Sequence, residues 1–576
     1  MQGQYRGDFT RDTFNPLNQF SRVLMQQGRV QIDADWNEQT SILLHYLRSL
    51  AADLIGQHGG PIQNSGFAIT SIPGVSNDFR IGSGNYYVDG ILCESNPAPT
   101  AFSDAKDNNG QAVVIIAPDE TGYCPDQYVE IVGQPGSIVQ ILDVDPTPSG
   151  IRLTLSQSIA NLGINPGIKG PWQLRRVITY RSQPDFPVTK DDGIQTIQLP
   201  DNQNRSRSVC LVYLDVWERH LSSIEVDGIR EVALNGPDTA SRAKVVCQVR
   251  IAAPTTPSAK LVFDTAIAGM SNNDPLDKVG SAGWRDFVIN NLQAENRGLL
   301  KAQVQPQRTS TDPCVISAES HYRRAENQLY RVEIHRGTDI AISPPPPATF
   351  KWSRENGSVS FPVLKLAPAS GQTKVTLGSF GPDEKLGLNE GDWVEIWNDD
   401  YTLLNRPEPL LKVLAIDRTS MSVTLDGVTT GKISDDPTKH PLLRRWESKG
   451  DVTIDAGKWI DLEDGIQIQF LADPNPTYRT GDYWLIPARV ATGNIEWPLC
   501  RDAQGQALSD PTSNEPIAAA LPPHGVQHSY APLAVIDLSL NQGAAIPFGV
   551  FDERLFFSQT VVNGQRLFGP LAQKTA

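Results

Sequence analysis

Two groups of side chains in this sequence have types and spacings that could do chemistry. His524 and His528 are four residues apart, the spacing of a metal-binding pair on one face of a helix. They follow two prolines and enclose a glycine, so we expect ordinary loop histidines, with metal binding as the alternative. Asp215, Glu218 and His220 lie on or just after a predicted strand, and paired carboxylates can perform acid–base catalysis. Asp215 and Glu218 point to opposite faces of a continuous strand, which argues against a catalytic pair.

A third polar group, Asn398-Asp399-Asp400, offers oxygen ligands of the kind that calcium prefers. A polar turn between strands is the other interpretation of these residues. The chain contains no Walker loop, no GxGxxG, GxSxG or HExxH motif and no kinase signature. Its six cysteines are widely spaced and form no CxxC motif, which favours neither a zinc site nor a disulfide-rich domain. We therefore predict a protein that is not an enzyme, with no catalytic residue, no metal and no cofactor.

The element that would position a functional surface is one long predicted helix, from Trp36 to Ile55. Asp35 is the predicted N-cap, and Glu38 three residues later completes a capping box with it. Gly56 can adopt the left-handed conformation that ends a helix. Residues 1–34 are predicted to form an arm ahead of this helix.

The helix carries an apolar stripe with the three- and four-residue steps of a heptad repeat. We call it the leucine stripe, and its members are Trp36, Leu43, Leu47, Leu50 and Leu54, with Thr40 filling the gap. We predict that the leucine stripe binds other protein subunits, including copies of the same chain. The alternative is that it packs on the chain's own β domain.

The arm is predicted to contain a short amphipathic helix that carries Leu17, Phe20 and Leu24. After the long helix, apolar and polar residues alternate with period two, as in Tyr86-Tyr-Val-Asp-Gly90, which predicts antiparallel strands joined by tight turns. The predicted fold is mainly β and multi-domain, with the arm and long α-helix followed by several antiparallel β barrel or sandwich modules. The predicted domains are an arm and anchoring helix at 1–62, a small all-β module at 63–165, a central β-rich module with a short helix at 166–345, a β barrel or sandwich at 346–500, and a loop-rich segment with an aromatic tail at 501–576.

Length and composition predict a soluble protein of several domains. A chain of 576 residues is too long to fold around one hydrophobic core, since domains hold roughly 100–200 residues each. The 46 glycines and 43 prolines are spread along the chain, as expected for many turns between short strands. The net charge is −15 and no basic run stands out, which argues against a nucleic-acid partner. There is no secretory signal and no apolar run long enough to span a bilayer, so we expect a cytoplasmic protein.

Several stretches resemble an uncharacterised bacterial family that is encoded beside contractile, phage-tail-like injection systems. The resemblance begins with Arg6-Gly-Asp-Phe-Thr-Arg-Asp-Thr-Phe14 and Ser21-Arg-Val-Leu-Met-Gln-Gln-Gly-Arg-Val-Gln-Ile-Asp-Ala-Asp-Trp-Asn-Glu38. It continues through Tyr213–His220, Glu326–His335 and Phe350–Gly357 and reaches about residue 540. A looser form of the second stretch is similar to the N-terminal regions of some phage baseplate and tail-fibre proteins.

The resemblance implies a structural component of such a particle, at the baseplate or in the cage around the spike. Its expected partners are baseplate or spike proteins and sibling copies in a trimeric or sixfold arrangement. The expected location is the cytoplasm, within an assembled injection particle, with peripheral membrane contact through the baseplate left open. A surface-binding or glycan-acting β protein, or an effector carried by the particle, is the alternative. The resemblance supplies no catalytic residues.

Overall fold

A computed structural model provides the fold of the chain and describes residues 3–571 with gaps. The residues outside it are 1–2, 4, 121, 135–136, 165–171, 188–208, 235, 253–283, 285–286, 293–296, 306–320, 339–345, 431–432, 473–475, 512–514, 538–548, 563–564 and 572–576.

Strands dominate the described residues. In chain order they are β1 His58–Pro61, β2 Ile69–Ile72, β3 Val75–Ile81, β4 Gly84–Val88, β5 Ile91–Ser95, β6 Pro99–Asn108, β7 Gln111–Ile116, β8 Tyr128–Ile131, β9 Val139–Thr147, β10 Gly150–Leu155, β11 Trp172–Val177, β12 Val209–Leu221, β13 Arg242–Ala252, β14 Leu300–Val304 and β15 Gln328–Arg336. They continue with β16 Thr349–Ser353, β17 Ser360–Ala369, β18 Gln372–Leu377, β19 Trp393–Trp397, β20 Leu411–Asp417, β21 Ser422–Leu425, β22 Leu442–Trp446, β23 Val452–Thr453, β24 Trp459–Asp461, β25 Ile466–Phe470, β26 Tyr483–Arg489, β27 Asn494–Ile495, β28 Ser529–Asp537, β29 Gly549–Asp552, β30 Phe556–Val562 and β31 Gln565–Leu571.

Helices are few in the described part of the chain. The α-helices are α1 Asp33–Ile55 and α2 Asp399–Leu404. Short 3₁₀ turns and one π-helical turn complete the list: Pro16–Asn18, Asp227–Ile229, Val232–Leu234, Val288–Leu292 and Pro437–Lys439. The predicted mainly β, multi-domain fold is confirmed. Among these residues no helix has the length and apolar character needed to cross a membrane.

Helix α1 starts earlier than predicted, and the predicted capping box is wrong. The helix begins at Asp33, so Asp35 lies in its first turn, where its carboxylate accepts the N–H of Ile32 at 3.4 Å. Glu38 accepts a hydrogen bond from the Thr13 hydroxyl at 2.7 Å. The arm runs past this end of the helix and bonds to its acidic side chains, a long-range contact that the local pattern does not contain.

The structure confirms the predicted end of helix α1 but not the short helix predicted in the arm. The N–H of Gly56, at φ 93°, donates to the carbonyl of Ala52 at 2.8 Å, so the predicted end of the helix is confirmed. The predicted amphipathic helix through Leu17, Phe20 and Leu24 is wrong, because only the 3₁₀ turn Pro16–Asn18 forms there. Gln19 follows that turn in the left-handed conformation, which stops further winding.

The chain divides into two compact units. The first comprises Met1–Tyr46, Trp217–Val246 and Ile289–His528. It contains a closed six-stranded barrel in the order β17-β18-β21-β20-β19-β22, a sheet β23-β16-β15-β26-β27 and a sheet β14-β25-β24. One apolar core fills the barrel and another lies on the two sheets, the latter with Tyr330 and Trp484 at its centre.

The second unit comprises Leu47–Val216, Cys247–Val288 and Ser529–Ala576. Its closed barrel has the order β10-β7-β6-β11-β8-β9, and its five-stranded sheet has the order β31-β30-β1-β4-β5. Residues 209–216 of β12 pair antiparallel with β28, which pairs with β29.

The barrel of the second unit extends past the predicted boundary at residue 165, since β11 closes it. The segment predicted to be loop-rich, 501–576, also supplies four strands, β28 to β31. The five consecutive domains remain a prediction.

Candidate functional site

The predicted histidine pair lies on a loop and does not converge. The ring of His524 stacks on Tyr483 with centroids 5.8 Å apart, and the ring of His528 lies 5.7 Å from that of Trp217. In the described ranges, no three His, Cys, Asp or Glu side chains come together in an arrangement that could hold a metal ion.

The carboxylates of β12 also separate, as their alternation predicts. Asp215 is fully buried and pairs with Arg250 at 3.0 Å. Glu218 instead accepts a hydrogen bond from the Tyr5 hydroxyl at 2.6 Å. His220 lies near several arginines, and burial together with those charges lowers its pKa to about 3.

The group Asn398-Asp399-Asp400 forms the start of helix α2. The Asn398 side chain caps the helix by accepting the N–H of Tyr401 at 3.0 Å. Asp399 pairs with Arg219 at 2.5 Å, and Asp400 pairs with Lys439 at 2.5 Å. Both carboxylates therefore neutralise neighbouring cations at a helix N-terminus, where negative charge is favourable.

The leucine stripe is exposed along its whole length. Thr40 is also exposed, so every position of the heptad seam faces away from the chain. The exposed fractions are Trp36 67%, Leu43 52%, Leu47 62%, Leu50 57% and Leu54 56%. In the described residues, the stripe therefore does not pack on the chain's own β domain, as the alternative required.

The opposite face of α1 holds the helix to its own chain. Ala34 and Ile42 are buried there, with Ile42 only 1% exposed. Gln39 accepts the N–H of Val23 at 2.8 Å, and the ring of His45 lies 5.9 Å from Phe14. A cavity of about 120 Å³ lies between this face and the segment around Phe14.

The second half of the arm adds further exposed apolar side chains. They are Leu17, Phe20, Leu24, Met25 and Val30, each more than half exposed. Scattered surface apolar residues are normal, but a contiguous apolar surface indicates an interaction site. This segment and the leucine stripe together hold ten of the exposed apolar side chains that the structure describes.

A second feature, which the sequence analysis did not find, is the docking of the arm. Arg6 is 4% exposed, and its guanidinium binds both carboxylate oxygens of Glu333 at 2.9 and 3.0 Å. The same guanidinium lies over the Trp397 ring, 4.2 Å from the centroid. A bidentate arginine–carboxylate pair combined with an aromatic contact fixes both position and orientation.

The arm's backbone is also held by side chains. The carbonyl of Gly3 accepts from the Tyr483 hydroxyl at 2.7 Å. The carbonyl of Tyr5 accepts from Arg331 at 3.0 Å, and that of Gly7 accepts from the Asn356 amide at 2.9 Å. The arm therefore lies against its own unit as an extended peptide in a groove.

The floor of this groove is one face of strand β15. Arg331, Glu333 and His335 alternate along it, and all three are buried. The intervening residues, Tyr330, Val332 and Ile334, enter the apolar core on the other face. Glu333 lies opposite Lys351 of β16 in the register.

The charges under the arm compensate one another. Burial would raise the pKa of Glu333, but the cations Arg6, Arg331 and Lys351 outweigh it and hold that pKa well below its usual range. Glu395 accepts hydrogen bonds from Lys351 at 2.6 Å and from Tyr401 at 2.5 Å. Buried charges are tolerated only when they are paired and hydrogen-bonded in this way.

The signal that could have revealed this groove is the alternation Arg331, Glu333, His335 in an otherwise apolar strand. Alone, it predicts a face open to water. The burial comes from the arm, which is more than 300 residues away in sequence.

Comparison with known proteins places the chain in a family without an assigned role. A family profile, described as a family of unknown function, matches residues 5–115, 177–283 and 259–544. No curated protein matches the sequence. The matched ranges cover most of the chain, including the arm, helix α1 and strand β15. The chain belongs to the family of unknown function DUF6519.

Proposed function

We propose that this chain is a structural subunit of a contractile, phage-tail-like injection system, at the baseplate or in the cage around the spike. The observation that carries the proposal is the exposed leucine stripe on a helix whose other face is fixed to its own chain. The resemblance of the N-terminal region to proteins encoded with such systems supplies the particle context. The proposed role is mechanical.

The stripe has the physical properties of an assembly surface. Fully burying one large apolar side chain contributes about 1.5–3 kcal/mol, so the five residues together can support a stable interface. Leucine at the d-like positions Leu43 and Leu50 suits pairing between helices in register. The proposed partners are therefore sibling copies, in a trimer or sixfold ring, and neighbouring baseplate or spike proteins.

The docking of the arm refines how the subunit would be anchored. Residues from Tyr5 to Thr13 contact their own unit, so they set the position of the segment that follows them. The surface left for partners consists of the exposed apolar residues 17–30 and the leucine stripe. In this proposal the β units form the scaffold.

Native mass measurements on the full chain test the assembly step. We expect an oligomer for the natural chain and a monomer for the double variant Leu47→Ser, Leu50→Ser, because serine removes apolar surface only at the stripe. Leu364→Ser is the matched control, since Leu364 is 62% exposed, as is Leu47, but lies on strand β17. A natural chain that is monomeric up to high concentration, or a double variant of unchanged mass, would contradict assembly through the stripe.

Co-purification from cells that make the particle tests the context. We expect the chain to purify with sheath and baseplate proteins in a fixed ratio, and the double variant to be absent from particles. A variable ratio would indicate carried cargo. Glycan binding by an isolated chain that never joins particles would support the rival role.

A further inference from the structure

Three arginine side chains of the first unit converge on one turn, Asn356–Gly357. Arg331 donates to the Asn356 side chain at 3.3 Å, and Arg444 donates to the carbonyl of Gly357. The side chain of Arg6 passes beside Gly357, where an added Cβ would lie 3.6 Å from its Cδ. We call Arg6, Arg331 and Arg444 the arginine cluster.

The ring of Trp397 contacts two members of the cluster. The guanidinium carbon of Arg6 lies 4.2 Å from the ring centroid, and that of Arg444 lies 4.8 Å from it. Two cations share one aromatic ring here, which brings like charges close together in a dry environment. Such an arrangement is unfavourable unless anions balance it.

The acids of the described residues do not balance the cluster. Glu333 contacts Arg6 and Arg331, but no described carboxylate lies within 4 Å of Arg444. Glu225 and Glu333 act on Arg444 only at longer range, and burial lowers its pKa to about 10. Arg444 is 6% exposed, and a guanidinium stays charged in proteins, so this charge lacks a close counter-ion.

Several buried side-chain nitrogens around the cluster have no hydrogen-bond partner within the described part of the chain. They are Nη2 of Arg331, Nε of Arg444, Nε1 of Trp397 and a ring nitrogen of His220. The His220 ring lies 6.4 Å from that of Tyr5, whose backbone carbonyl accepts from Arg331 at 3.0 Å. Buried donors are satisfied in almost all proteins, so these nitrogens require a partner.

We propose that the arginine cluster binds one small inorganic oxyanion of the phosphate or sulfate type. A tetrahedral oxyanion offers several acceptors, which match several donors, and its charge balances Arg444. Arginine suits this role because its planar guanidinium can donate two parallel hydrogen bonds to two oxygens of one oxyanion. A water molecule could satisfy individual N–H groups but would leave the charge unbalanced.

The location gives the anion a structural consequence. Arg6 belongs to the arm, whereas Arg331 and Arg444 belong to strands β15 and β22. An anion held by all three would fasten the arm to the strands beneath it. This inference does not depend on the leucine stripe or on the particle.

Ion chromatography on the full natural chain tests the proposal directly. The protein is purified in phosphate buffer, freed of unbound ions by gel filtration and unfolded, and the released anions are counted. We expect one equivalent of phosphate or sulfate per chain. Release of neither ion would overturn the proposal and leave water as the partner of these nitrogens.

A variant with a matched control tests the residues. At constant ionic strength, phosphate should raise the melting temperature of the natural chain. Arg444→Gln should weaken the apparent phosphate affinity at least about tenfold, because it removes the unbalanced charge and three N–H donors. Arg152→Gln, at an exposed arginine of the other unit, should leave the affinity unchanged. An equal response in both variants, or equal stabilisation by chloride, would overturn an oxyanion site at this cluster.

Discussion

Arg6 is the residue on which the arm depends most. Its ion pair with Glu333 is buried on both sides, with the side chains 3% and 2% exposed. The arm contains a second arginine, Arg11, whose pair with Glu496 is 39% exposed on each side. The two pairs have nearly equal lengths, 2.9 and 3.0 Å, but the Arg6 pair is buried, binds both carboxylate oxygens and lies over the Trp397 ring.

We predict that Arg6→Ala destabilises the chain by about 3–5 kcal/mol, because it leaves Glu333 buried without one of its cations. Arg11→Ala should cost only about 0.2–1 kcal/mol, because water screens an exposed pair. The free energy of unfolding in urea, measured for both variants, checks the prediction. Similar costs for the two substitutions would show that Arg6 is not the anchor of the arm.

At the scale of elements, the position of helix α1 depends on a tight turn of the second unit. Asp89 and Gly90 join β4 to β5, and both have positive φ, at 47° and 75°. The dipeptide Asp-Gly favours such a two-residue hairpin turn. A Cβ added at Gly90 would overlap the backbone carbonyl of Arg48 in α1.

We predict that Gly90→Ala is more destabilising than Gly74→Ala. Gly74 has nearly the same φ, 79°, but an added Cβ would meet nothing within 4 Å. Gly74→Ala should therefore cost about 1–2 kcal/mol for the left-handed conformation alone. Gly90→Ala should cost about 1–3 kcal/mol more, because the helix must move away. Thermal and urea unfolding of both variants provide the comparison, and equal costs would mean that the helix is not held against this turn.

The elements that the sequence predicts well are those fixed by neighbouring residues. Gly56 ends α1, and Asp89-Gly90 forms the hairpin turn, because glycine conformation is a local property. The start of α1 is predicted less well, since the arm bonds to Asp33 and Glu38 from outside the helix.

The groove under the arm could not be predicted for the same reason. The alternation in β15 is local, but the burial of Glu333 depends on Arg6. The leucine stripe could be predicted only in part. Its spacing is visible in the sequence, whereas its exposure becomes known only when the other face of the helix is seen to be buried.

At the scale of the molecule, both units are built from segments far apart in sequence. Strand β1 pairs in parallel with β30, so Gly60 lies beside Phe556. Long-range pairing of this kind closes large loops and slows folding. Three histidines whose pKa is lowered are spread over the two units: His58 in the second, and His220 and His335 in the first.

Acid should destabilise the whole chain through these histidines. Burial lowers the pKa of His58 to about 4 and that of His335 to about 4, and burial with nearby arginines lowers that of His220 to about 3. The unfolded chain, with histidine pKa values of about 6.5, binds more protons below that pH than the folded chain. Stability is therefore lost as the pH falls from about 6.5 towards 4, by up to about 1.4 kcal/mol per pH unit for each histidine.

His58→Asn isolates one of these contributions. His58 Nδ1 lies 3.1 Å from the Tyr86 hydroxyl, and the shorter asparagine amide can replace that hydrogen bond without titrating. We expect the stability difference between the natural chain and this variant to change by about 1 kcal/mol per pH unit between pH 6 and pH 4.5, in favour of the variant as the pH falls. Urea unfolding across this range measures it, and taking the difference removes the carboxyl groups, which titrate in both proteins. Leu364→Ser, a change at an exposed residue that does not titrate, is the control, expected to run parallel to the natural chain. A His58→Asn profile that also runs parallel would mean that the His58 ring takes up its proton without unfolding.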